Sequence, residues 1–174
     1  MQTEDYLKAG KIASEVREMV RKKDWIGKTV YEICEEVEGE IKKRGAKCAF
    51  PVNTSINEIA AHYTAEPNDP ITIKDTDLVK IDLGAQVNGY IADTAVTVCY
   101  DAQYDGLVQT AEEALANAMA MIKTGVKASD IGRTIESTIK QKGFKPIANL
   151  SGHSLDQYTI HAGRSIPNIW SIGG

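Results

Sequence analysis

The chain has 174 residues, enough for one domain or one and a fraction, with roughly 70% of its unfolded surface buried on folding. Hydrophobic residues at 43% and charged ones at 25% argue for a globular chain and against a disordered one. A net charge of −4 with dispersed Lys and Arg argues against a nucleic-acid surface, and no run approaches the ~20 apolar residues of a membrane span. The N-terminus Met1-Gln2-Thr3-Glu4-Asp5 has no signal-peptide character. Cys34, Cys48 and Cys99 form no CxxC pair, which fits reduced thiols and predicts a cytoplasmic protein.

The first predicted element is an amphipathic helix over residues 3–23, capped by Thr3 and carrying Leu7, Ile12, Ala13, Val16, Met19 and Val20 at helical spacing. A second helix opens on the capping-box pattern Thr29-Val30-Tyr31-Glu32 and runs to Arg44, where Gly45 stops it. An extended piece through Cys48-Ala49-Phe50-Pro51-Val52 and a loop holding His62 follow.

Residues 78–99 read as one β-hairpin, because Asn88-Gly89 suits a type I′ turn that needs positive φ at both central residues. A two-residue loop sets Val79 against Val98, Ile81 against Val96, Leu83 against Thr94, Ala85 against Ala92 and Val87 against Tyr90. That face is almost wholly apolar. On the other face Asp82 opposes Ala95 and Asp93 opposes Gly84, so the aspartates are diagonal neighbours with Cα atoms about 7–8 Å apart. A half-exposed sheet often carries Asp on its wet face. Here the small residues opposite each acid leave room between two carboxylates that repel unless a cation lies between them, which points to a metal site.

After the hairpin the order begins again. A helix is predicted over about residues 105–123, with Leu107, Val108, Ala111, Ala114, Leu115, Ala118 and Ile122 on its stripe, and another over about Ser129–Lys142. A shift of 98 residues places Gly27 on Gly125, Ile33 on Ile131, Val37 on Ile135, Ile41 on Ile139 and Gly45 on Gly143. Matched glycines at both ends suggest an internal repeat, residues 1–100 forming one copy and residues 101–174 a partial second. The second acidic hairpin would fall near residue 176, so the chain reads as one and three-quarter repeats.

The three histidines are His62, His153 and His161. The last two lie eight residues apart between Gly152 and Gly163, roughly 26 Å along a straight strand or roughly 12 Å along a helix. Without a sharp bend they cannot share an ion. One could be a ligand while the other acts on substrate, and an isolated histidine is more often structural.

Asp82-Leu83-Gly84 and Gly89-Tyr90-Ile91-Ala92-Asp93-Thr94-Ala95-Val96-Thr97 carry a resemblance, together with Ala61-His62-Tyr63-Thr64 before them and Gly152-His153-Ser154 through Ile160-His161-Ala162-Gly163 after. This pattern resembles methionine aminopeptidase of the archaeal, type II branch, over essentially the whole chain. The resemblance implies an α/β pita-bread fold, with pseudo-twofold halves around two divalent metal ions. It implies Asp82 as terminal ligand, Asp93 as bridging carboxylate and His153 as the imidazole ligand. His62 and His161 match the family's non-ligand histidines that contact substrate and stabilise the tetrahedral intermediate, and Phe50 and Ile160 match its methionine side-chain pocket. Carboxylates with one imidazole favour Mn, Fe, Co or Zn, and two such ions generate hydroxide from water and polarise the scissile carbonyl.

The implied activity is removal of the N-terminal methionine of nascent polypeptides by a cytoplasmic monomer, without nucleic-acid or membrane partners. Two alternatives stand beside it: a related prolidase or aminopeptidase P, and a non-catalytic pita-bread domain acting as a binding module. The family uses two further glutamate ligands and a helical insertion that this sequence does not contain. The chain is therefore expected to be a fragment (a shortened chain, an incomplete one, or a cleavage product with a complementary C-terminal fragment as its partner), with a native start at Met1 and a loss at its C-terminus, and to be doubtful as an enzyme by itself.

Overall fold

The computed structural model describes residues 2–170; Met1, the expected native start, lies outside them. Two compact units divide the chain. One holds residues up to Ala102 together with Asp156–Ile160, the other Gln103–Leu155 together with residues from His161 onward.

In the first unit, helix α1 (Gln2–Lys22) and helix α2 (Val30–Lys43) precede strands β1 (Lys47–Cys48), β2 (Asn53–Ile56), β3 (Leu78–Val87) and β4 (Tyr90–Cys99). Thr3 lies inside the first turn of α1 rather than capping it, because the helix begins one residue earlier. Thr29 does cap α2. Its hydroxyl accepts from the Glu32 N–H at 3.1 Å, and the Glu32 carboxylate accepts from the Thr29 N–H at 2.8 Å. Gly45, with φ +83, follows the helix as its stop. The extended piece at residues 48–52 is not one strand: after the Ala49 N–H bond to Gly84 pairing lapses around Pro51, which has no N–H to give a ladder, and it resumes at Asn53.

Strand β3 is the sheet's centre, with β1 and β2 antiparallel along one side and β4 along the other. The hairpin register agrees with the sequence reading at every pair, from Leu78 opposite Cys99 to Val87 opposite Tyr90. Asn88 and Gly89 both take positive φ (+52 and +86), as the turn requires. The apolar face packs on α1 and α2. Val16, Val20, Val37, Ile41, Val79, Ile81 and Leu83 are fully enclosed there, and Val96 closes the layer from β4. Trp25 is also enclosed, its indole N–H donating to the Val20 carbonyl at 3.0 Å.

A 3₁₀ turn (Ala102–Tyr104) opens at the last residue of the first unit; the second unit then holds helix α3 (Asp105–Met121), followed by α4 (Ala128–Gln141), β5 (Ser151–His153) and β6 (Ser165–Pro167), the last two antiparallel. The offset that carries α2 onto α4 also carries Gly27 onto Gly125 and Gly45 onto Gly143, and all four glycines have positive φ. The apolar stripe predicted for α3 is not a buried face. Ala114 and Ala118 are covered, but Leu107, Leu115 and Ile122 are exposed, because α3 packs on α4 and the two-stranded β5–β6 sheet reaches the pair only through α4 among the described residues. No described helix is long and apolar enough to cross a membrane.

Candidate metal centre

Side chains directly opposite one another in a sheet share a face, so the register defines two rows on the acidic side. Asn53, Asp82 and Ala95 form one row across β2, β3 and β4. Gly84 and Asp93 form the other, continued by Ala49, whose N–H donates to the Gly84 carbonyl at 2.9 Å. Asp82 is half-buried and Asp93 exposed. The expected space beside both acids is present on one side only. Ala95 is exposed, but Gly84 is buried: a Cβ there would lie 2.3 Å from Phe50 Cε1 and 2.9 Å from the Ala49 Cβ. The missing side chain at residue 84 seats the Phe50 ring against the acidic face. This contact brings the first predicted pocket residue to the carboxylates' own sheet.

His62 is exposed and sits in the left-handed region at φ +67. The chain beside it hangs on β2. Thr54 N–H donates to the Tyr63 carbonyl at 2.7 Å, Tyr63 N–H to Ser55 Oγ at 3.3 Å, and Asn53 Nδ2 to Thr64 Oγ1 at 2.7 Å. The Tyr63 hydroxyl donates to Asp69 at 2.6 Å, which holds the Asp69 carboxyl below the usual carboxylate range. The His62 loop is thereby tied to the strand whose Asn53 stands opposite Asp82.

His153 is half-buried, with its Nδ1 atom enclosed, and His161 is exposed. Their rings meet edge to face, with centroids 4.4 Å apart. The straight-chain separations do not apply because the backbone turns sharply between them. Ser154 N–H donates to the Arg164 carbonyl at 2.9 Å and Ala162 N–H to the Ser154 carbonyl at 2.8 Å, closing the neck of a loop. Gly163 at φ +88 lies at that neck. Ile160, the second predicted pocket residue, is half-buried one position before His161.

Among the described residues, no three histidine, cysteine or acidic side chains gather into a group that could hold a metal ion. Asp82 and Asp93 belong to one compact unit and His153 to the other. The donor chemistry nevertheless fits a hard divalent cation: two carboxylates on one sheet face, diagonal to each other, with a small exposed residue beside Asp82. Cys34, by contrast, is a core residue. Its Sγ–H donates to the Val52 carbonyl at 3.3 Å, and burial pushes the thiol's pKa up, away from the thiolate a metal would take.

The comparisons with known proteins agree with this chemistry. The model of metallopeptidase family M24 matches residues 4–173. A methionine aminopeptidase of Pyrococcus abyssi is 49% identical over 98% of the chain, which spans 58% of that relative's length. A methionine aminopeptidase of Methanothermus fervidus is 45% identical, with 95% of each chain covered. The crystal structure of the methionine aminopeptidase of Thermotoga maritima superposes with a TM-score of 0.88 at 31% identity, covering 98% of this chain and 72% of that one. The fold is thus the pita-bread fold of these enzymes, and the carboxylate-bearing hairpin, the flanking helices and the family match together make this chain a member of metallopeptidase family M24.

Proposed function

We propose that the protein removes N-terminal methionine from nascent polypeptides in the cytoplasm, as a monomeric methionine aminopeptidase that uses two divalent ions of the Mn, Fe, Co or Zn type. The observation that carries this reading is the hairpin register, which puts Asp82 and Asp93 on one face beside Phe50. Asp82 and Asp93 would hold the ions through their carboxylates and His153 through its imidazole. Ions held there supply water activation and carbonyl polarisation. The protein's own groups do the rest. Phe50 and Ile160 surround the methionine side chain and exclude water from it. His62 and His161 contact the substrate and donate to the oxyanion that develops at the scissile carbonyl, where a fixed donor is worth more than water.

The test joins metal binding to turnover. Titration with Mn or Co is expected to show uptake by the native protein, and Asp82→Asn and Asp93→Asn each to weaken it. Release of methionine from a Met-Ala-Ser peptide should fall by more than about 100-fold in either variant, beyond what loss of a group supporting a ligand costs. Undiminished binding and turnover in both variants would overturn the assignment. The peptide reading itself fails if the native protein binds the ions and releases no methionine.

A further inference from the structure

The loop between His153 and His161 has an anchor that the peptidase reading does not use. Its tip, Asp156–Thr159, closes on itself: Asp156 N–H donates to the Thr159 carbonyl at 2.9 Å and Thr159 N–H returns to the Asp156 carbonyl at 3.0 Å. The tip is fixed to the turn of the acidic hairpin. Tyr158 N–H donates to the Gly89 carbonyl at 2.8 Å, and Gln157 Nε2 donates to the Asn88 carbonyl at 2.9 Å. The Tyr158 ring lies flat over Gly89, where a Cβ would come within 2.5–2.6 Å of three ring carbons. Tyr158 itself takes φ +57, a region an aromatic residue rarely enters, and its side chain is 73% exposed. An exposed ring in an unfavourable backbone conformation is not held there by a core. Its seat on a glycine that must lack a side chain accounts for both.

The geometry points to Tyr158 and Gln157 as positioning residues that act through His153 and His161. We infer that the Asn88-Gly89 turn has two roles. It sets the register that makes Asp82 and Asp93 diagonal neighbours on one face, and it holds the tip of the loop whose neck presents the two histidines 4.4 Å apart. This inference rests on the peptidase reading only for its consequence in turnover. The mechanical part stands on the contacts alone.

The experiment uses the full chain and follows the imidazole Hε1–Cε1 signals by NMR, which is practical because the chain has three histidines. Tyr158→Ala is expected to move the His153 and His161 signals and leave His62 in place, while Tyr158→Phe, which keeps the ring, restores the native spectrum. Gln157→Ala, which removes one hydrogen bond and leaves the Tyr158 ring in place, should move the same two signals by less. With Mn or Co and the Met-Ala-Ser peptide, kcat is expected to fall about 10- to 100-fold in Tyr158→Ala with little change in KM, the signature of displaced reacting groups. Unmoved His153 and His161 signals in Tyr158→Ala overturn the inference, as does a Tyr158→Phe spectrum that matches the alanine variant. If Tyr158→Ala does not fold, unmoved signals in Gln157→Ala overturn it. Native protein that releases no methionine, while the signals move as expected, sinks the peptidase reading and leaves the clip intact.

Discussion

The α1–α2 and α3–α4 pairs have similar amphipathic sequences and different burial. Val37 and Ile41 of α2 are fully enclosed, whereas Ile135 and Ile139, at the same places on α4, are only half-buried; Ile33 and its match Ile131 are both buried. Leu107, Leu115 and Met119 of α3, and Ile122 just after it, range from 40% to 64% exposed. The first pair lies under a four-stranded sheet, while among the described residues the strand packed on α4 is the short β6. Between α3, α4 and the segment 144–147 lies an apolar groove of about 300 Å³, lined by Leu107, Leu115, Ile135, Ile139, Phe144 and Ile147. Periodicity creates an apolar face, and a second layer decides whether that face is a core.

Three measurements can break or sharpen this contrast. The largest effect is expected in urea unfolding of Ile41→Ala and Ile139→Ala. The first should lose about 2–5 kcal/mol, for lost burial plus the cavity left behind. The second should lose about 1 kcal/mol or less, since water already reaches the site. Equal losses would mean that the two helix pairs are buried alike in solution.

A smaller contrast lies at the helix starts. Thr29→Ala removes the hydroxyl that accepts the Glu32 N–H and should cost about 1 kcal/mol. Lys127, at the corresponding place before α4, makes no side-chain cap although its backbone is extended as a cap requires. Lys127→Ser should therefore stabilise α4 by roughly 0.5–1 kcal/mol in the same unfolding experiment. A neutral result there would show that α4's start is limited by something other than its uncapped N–H groups.

The smallest effect is one of pH. The Thr29 N–H first, and Lys28 with it, hold the Glu32 carboxyl below its ordinary 4.5. A depressed folded-state value means the stabilisation is fully present above that ordinary value and is lost as pH falls through the lower one. Glu32→Gln keeps an acceptor for the capping box but does not titrate. The gap in urea midpoint between native protein and Glu32→Gln should thus narrow between pH 6 and pH 3. A gap that is constant across that range would remove the carboxylate from the cap's energetics.

The acidic face was readable because its information is local. Asn88-Gly89 fixes the turn, the turn fixes the register, and the register fixes which residues flank Asp82 and Asp93. The Phe50 ring over Gly84 could not be read that way, since a glycine opposite an acid is equally consistent with open space. Spacing between His153 and His161 left the bend open for a related reason. The hydrogen bonds of Ser154 to Ala162 and Arg164 fold the intervening residues out of line, and the one local signal for that bend was Gly163. The seat of Tyr158 on Gly89 joins residues far apart in the chain and had no signature in either segment.

The two-residue turn also bears on the order in which the protein assembles. Asp82 and Asp93 are brought side by side by the closing of a single hairpin, an event of roughly 1–10 μs that needs no distant part of the chain. The Tyr158 tip reaches Gly89 only after a loop of roughly 70 residues has closed, with the entropy loss that this entails. The carboxylates therefore belong to the low-contact-order part of the fold and the histidine loop to the high-contact-order part.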